Sequence, residues 1–139
     1  MEIADVKRQV VHTIERAKRQ AAERRSRADA AGRAYEAFLE QTAIPLLRQV
    51  ANVLKAQGYA FNVFTPGGAV RLASEKTADD HIELSLDTSG DTPVVLGSTK
   101  RTRGGRVIET ERPIGEPANV SEGELLEYVL KELEPFVER

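Results

Sequence analysis

The chain has 139 residues, 40% hydrophobic and 30% charged, with a formal net charge of −2, which fits a single globular core. It has no cysteine and no tryptophan, so a disulfide framework and a thiolate zinc site are excluded and a large aromatic-lined ligand pocket is not expected. No segment reaches the roughly 20 apolar residues of a membrane span, and the opening MEIADVKRQV is no signal peptide, so the expectation is a cytoplasmic protein. Charge is unevenly spread: residues 1–55 carry 11 Lys and Arg against 7 Asp and Glu, while residues 56–139 carry 9 against 15.

From Ile3 to Gln57 the composition favours helix. Ile3, Val6, Val10, Ile14, Ala17 and Ala21 fall at spacings of three and four, forming one helical stripe, and a second stripe runs from Tyr35 through Phe38, Leu39, Leu46, Leu47, Val50, Val53 and Leu54. Between Ile14 and Tyr35 the apolar side chains are all alanines. A straight helix of this length spans ~80 Å, beyond the diameter of a 139-residue globule. Either residues 1–34 project as an arm, with residues 35–139 as the compact domain, or the helix breaks near Ser26 to Gly32 and folds back; projection is the favoured expectation. Pro45 is expected to kink or divide the helix.

Beyond Gly58 the period changes from 3.6 to 2. Tyr59 to Thr65 and Ala69 to Ala73 read as strands around a Pro66-Gly67-Gly68 turn, and in His81 to Asp87 the residues Ile82, Leu84 and Leu86 point inward with the others in water. Pro93 to Ser98 and Arg106 to Arg112 follow, separated by the tip Arg101 to Gly105. Short turns between strands predict an antiparallel meander. Pro113 to Val120 reads as a linker. Ser121 and Glu124 then form a capping box for a helix whose buried stripe is Leu126, Val129, Leu130 and Leu133, ended or bent at Pro135. The fold class is therefore α+β: a long N-terminal helix, about five antiparallel strands and a C-terminal helix.

Chemistry-bearing constellations are sparse. Asp79, Asp80 and His81 crowd together, but His12 and His81 are the only histidines, and no zinc or calcium spacing is present. Thr65 to Gly68 joins two strands instead of opening a helix, so it is a turn and not a phosphate cradle. No nucleophile motif is visible, and neither catalysis nor a cofactor is expected.

Two features remain. Ile3, Val6, Val10 and Ile14 place four large aliphatics on one helix face far from the main core, a face suited to self-association as a coiled-coil-like homo-oligomer or to docking another protein. Arg16, Arg19, Arg24, Arg25 and Arg27 on the helix, with Lys100, Arg101, Arg103 and Arg106 at the hairpin tip, offer the alternative of a nucleic-acid partner through phosphate neutralisation. Against that alternative, Glu15, Glu23 and Asp29 stand four residues before Arg19, Arg27 and Arg33 and can neutralise them along the helix. The tip arginines can likewise meet Glu109 and Glu111 across the hairpin.

Overall fold

The computed structural model describes residues 1–77 and 79–138. Its element order is α1 (Ile3–Phe38), a π-helical turn (Leu39–Ala43), α2 (Ile44–Ala56), β1 (Phe61–Phe64), β2 (Val70–Ser74), β3 (His81–Asp87), β4 (Val94–Arg103), β5 (Arg106–Gly115) and α3 (Glu122–Val137). The α+β architecture expected from the periodicity is present. Among the described residues no helix is long and apolar enough to cross a membrane.

The helix runs unbroken from Ile3 to Ala56, with no fold-back at Ser26 to Gly32. Of the two alternatives at Pro45 the helix is not divided, and its irregularity takes the form of the π-helical turn Leu39–Ala43 just before the proline. A proline ring in an α-helix collides with the carbonyl four residues earlier, here that of Gln41. The preceding turn is widened instead: the Ile44 N–H donates to the Leu39 carbonyl, five residues back. The wide turn takes up the clash and leaves Pro45 in the first turn of α2, where a missing N–H costs little. It also holds one extra residue, which resets the helical phase by about 100°. That rotation aligns the buried face of α2 (Leu46, Leu47, Ala51, Leu54) with the side of the axis on which Tyr35 and Leu39 lie.

The five strands form one antiparallel sheet in sequence order, β1-β2-β3-β4-β5. Register places Phe61, Val63, Val70, Leu72, Ile82, Leu84, Leu86, Val95, Gly97 and Thr99 on one face, under the helices. Ile82 and Leu84 are fully buried and Leu86 half-buried, as the alternation in β3 required, but His81 is also buried, against the expectation of a solvated position. The opposite face is solvent-adapted, with Arg71 paired to Glu83 at 2.7 Å and Lys100 to Glu109 at 3.5 Å.

β5 continues to Gly115, through Pro113, which sequence assigned to a linker. Proline is tolerated there because β5 is an edge strand, and a register irregularity opposite Val95 and Leu96 absorbs it. Arg106, Glu109, Glu111, Arg112 and Pro113 also make this long edge a poor template for further strands. Gly104 and Gly105, with φ of +57° and +79°, form the two-residue turn of the β4–β5 hairpin.

The Ser121 half of the capping box forms as expected, the Glu124 N–H donating to the Ser121 hydroxyl at 3.1 Å, while the Glu124 carboxylate accepts from that same hydroxyl at 3.0 Å instead of from the Ser121 backbone. The buried face of α3 is Leu125, Tyr128, Val129, Leu133 and Phe136. This moves the predicted stripe by about one residue and leaves Leu130 51% exposed. Pro135 neither ends nor interrupts α3, since in the last turn it forfeits a single backbone bond. Tyr128 lies directly over Gly97, where a Cβ would fall 2.2 Å from the phenol oxygen. Arg112, the cross-strand neighbour of Gly97, stacks on that ring at 5.4 Å and bonds Glu132 at 3.1 Å. At the far end Phe136 meets Phe61 edge-on at 6.0 Å, so α3 crosses the sheet from β5 to β1.

Candidate protein-docking face

Burial on α1 begins late. Tyr35 and Phe38 are its only buried residues; the Tyr35 hydroxyl donates to the Leu84 carbonyl at 3.2 Å and fastens the helix to β3. Earlier, Gln20, Glu23, Arg24, Arg27 and Ala28 run beside the β3–β4 loop at Thr88 to Pro93. Ala21 and Ala28 are half-buried, small enough to let the helix pass close to the body. Residues 3–19 extend past that loop for about 25 Å at 1.5 Å per residue.

On this extension Ile3 is 88% exposed, Val6 44%, Val10 52% and Ile14 47%. The four predicted docking residues thus stand together on one helix, in solvent. Sequence reading missed Val11, 43% exposed, which broadens the aliphatic face; the adjacent Val10-Val11 pair is the signal that could have found it, although neighbours lie about 100° apart. At 100° per residue, Ile3, Val6, Val10, Ile14, Ala17, Ala21, Ala28, Tyr35 and Leu39 fall within an arc of about 80°. The exposed stripe is therefore the continuation, past the body, of the face that Tyr35 and Leu39 bury against it.

The basic residues are distributed differently. Arg16 and Arg19 are exposed on the extension. Arg24, Arg25 and Arg27 stand against the β3–β4 loop with Asp91. The ion pair closed along α1 is Arg8 with Asp5; among the described residues, the expected pairs Glu15–Arg19, Glu23–Arg27 and Asp29–Arg33 are not closed within 4.0 Å. At the tip, Lys100 is shared between Asp79 at 3.8 Å and Glu109 at 3.5 Å. Arg101 and Arg103 line a recess with Pro135 and Glu138 at the C-terminal end of α3, and Arg106 is exposed opposite Arg103. Glu111 faces Ser98 across the hairpin. Arm and tip cations are thus separate groups, with acidic neighbours beside Arg24, Arg27, Lys100 and the 101–103 recess but with Arg16 and Arg19 open to solvent.

The acidic cluster before β3 has a structural task. Buried Asp80 accepts the Thr102 N–H at 2.8 Å, tying the loop to the β4–β5 hairpin, and Asp79 reaches Lys100. Among the described residues no group of three or more His, Cys, Asp or Glu is arranged to hold a metal ion. Burial, with a smaller contribution from Glu83, pushes the Tyr35 phenol up to about 12. The Tyr128 phenol is likewise raised by burial and by Glu132, against an opposing effect of Arg112. Hydrogen bonds from Ser89, first its side chain and then its backbone, hold the Asp87 carboxyl below its ordinary value.

Comparison with protein-family models, with curated proteins and with solved structures found no match.

Proposed function

We propose that this protein is a non-enzymatic assembly module, in which the sheet and α3 form a rigid support and the N-terminal helix presents a docking face. The observation that carries the reading is the aliphatic stripe Ile3, Val6, Val10 and Ile14, exposed together on a helix with no fully buried residue before Tyr35. Fully burying one such side chain is worth roughly 1.5–3 kcal/mol, so covering four supplies several kcal/mol toward association. A solvated helix needs no such stripe; polar residues there would serve as well. The absence of cysteine suits a reducing compartment, and a cytoplasmic setting belongs to this reading.

Phosphate binding by the arginines is the weaker reading. Arg24 and Arg27 stand beside Asp91, and Arg101 and Arg103 share their recess with Glu138 and the carbonyl end of α3, a place that favours cations over anions.

Light scattering with size exclusion tests the proposal, together with a pull-down from native lysate. The chain is expected to form a defined complex, with itself or another protein, that is lost in the Val6→Asp, Val10→Asp double variant. A monomer without partners, or a complex indifferent to both substitutions, would remove the stripe from consideration.

A further inference from the structure

Resting on the docking reading just given, we infer that the occupant of the stripe is the stripe of a second copy, lying antiparallel and centred near His12. Three features lead there, the first being direction. Because the stripe continues the face that Tyr35 and Leu39 bury, whatever docks on it lies on the same side of α1 as the sheet, in a slot closed at one end by the β3–β4 loop beside Gln20 to Ala28. A second helix laid parallel in that slot would carry its own residues beyond 20 into the first copy's body. Laid antiparallel, residues 3–20 of each copy overlap and the two bodies fall at opposite ends.

The second feature is shape. Two-fold pairing about residue 12 sets Ile3 level with Ala21 and Val10 level with Ile14, and brings Val6 beside Ala17, one residue off its level counterpart Lys18. The large residues of one helix then meet the small residues of the other, with the two largest contacts at the centre, a pattern that keeps the helix separation even along the seam. The third is pitch. Ile3 to Ile14, Val6 to Ala17 and Val10 to Ala21 are each eleven residues apart, a repeat of 3.67 per turn that is near the 3.6 of a straight helix, so filling the slot needs only a slight right-handed winding.

The pairing carries an electrostatic signature. Lys7 and Lys18 flank the stripe on the same side, and an antiparallel two-fold brings Lys7 of one copy near Lys18 of the other. Salt is therefore expected to strengthen the dimer by screening like charges. Docking of the basic helix on the acidic body of a neighbour would weaken with salt instead.

Because the natural chain has no cysteine, single spin labels can be placed cleanly at Asp5→Cys, His12→Cys and Arg19→Cys, all on the side of the helix away from the stripe. Pulsed electron resonance on the full chain then reads the distance between the two labels of each dimer. The expected pattern is a minimum for His12, with Asp5 and Arg19 longer and equal to each other, their labels offset by about 21 Å along the axis. Three equal distances, or unequal ones for Asp5 and Arg19, in a complex that Val6→Asp with Val10→Asp still dissolves, would overturn the antiparallel pair and leave the docking face standing. A monomer that captures a different protein through the stripe would also overturn this inference alone. A monomer with no partner would overturn both.

Discussion

α1 and α3 are helices held by different forces. In 16 residues α3 buries five side chains, is capped by Ser121 and rests on Gly97 and Phe61, whereas α1 in 36 residues buries only Tyr35 and Phe38. Tertiary packing maintains α3; the first thirty residues of α1 rely on alanine-rich propensity propagated outward from an anchored end. The difference teaches that large apolar residues do opposite jobs in the two. In α3 they generate stability, and at the start of α1 they generate none until something covers them.

That contrast breaks most visibly under truncation. Leu125→Ala in α3 is expected to cost about 3–4 kcal/mol, and Val10→Ala in a monomeric background less than about 0.5 kcal/mol, both by denaturant unfolding. Comparable losses at the two positions would show that α1 is packed against the body along its whole length. A second sharpening uses Gly97→Ala, whose new methyl meets the Tyr128 phenol at 2.2 Å and must displace α3 or the strand. A loss of about 2 kcal/mol is expected, and a neutral result would mean that α3 rides loosely on β4.

The smallest effect is silent near neutrality. The Tyr35 phenol titrates near 10 in the unfolded chain and about 12 when folded, so the folded state holds its proton more tightly. Its contribution is complete below about pH 10 and is lost as pH rises toward 12. All three tyrosines lie at position 35 or later, so this alkaline loss belongs to the body and the base of the helix. Tyr35→Phe should shrink it in unfolding curves from pH 8 to 12, while Tyr128 continues to act in the same direction. An unchanged profile would place the Tyr35 phenol in water.

Much of this was legible in the sequence for local reasons. The inward Ile82 and Leu84 of β3, the glycine turns and the Ser121 cap are each written within a few residues, and each appears where expected. The misreadings share another cause: a tertiary circumstance reset a local rule. At Pro45 the sequence marked an irregularity, but its form as a widened turn upstream leaves no mark in composition. Pro113 looked like a linker because position at a sheet edge is not a local property. Leu130 looked buried because a stripe read at helical spacing fixes the face only to within about one residue. At the docking face, the exposure of Ile3, Val6, Val10 and Ile14 was readable from their distance to the core, but the side on which they lie relative to the sheet emerged only with the body in place.

The π-helical turn has a consequence for how such a face is aimed. Between Ala21 and Leu39 the bearing of the stripe depends on how many residues intervene, and hardly on which ones. Adding or removing one residue there would swing the stripe by about 100° around the axis while preserving every side chain in it. The compass heading of the arm is thus kept by counting, and the wide turn at Leu39–Ala43 shows the chain already using a single residue as its unit of adjustment.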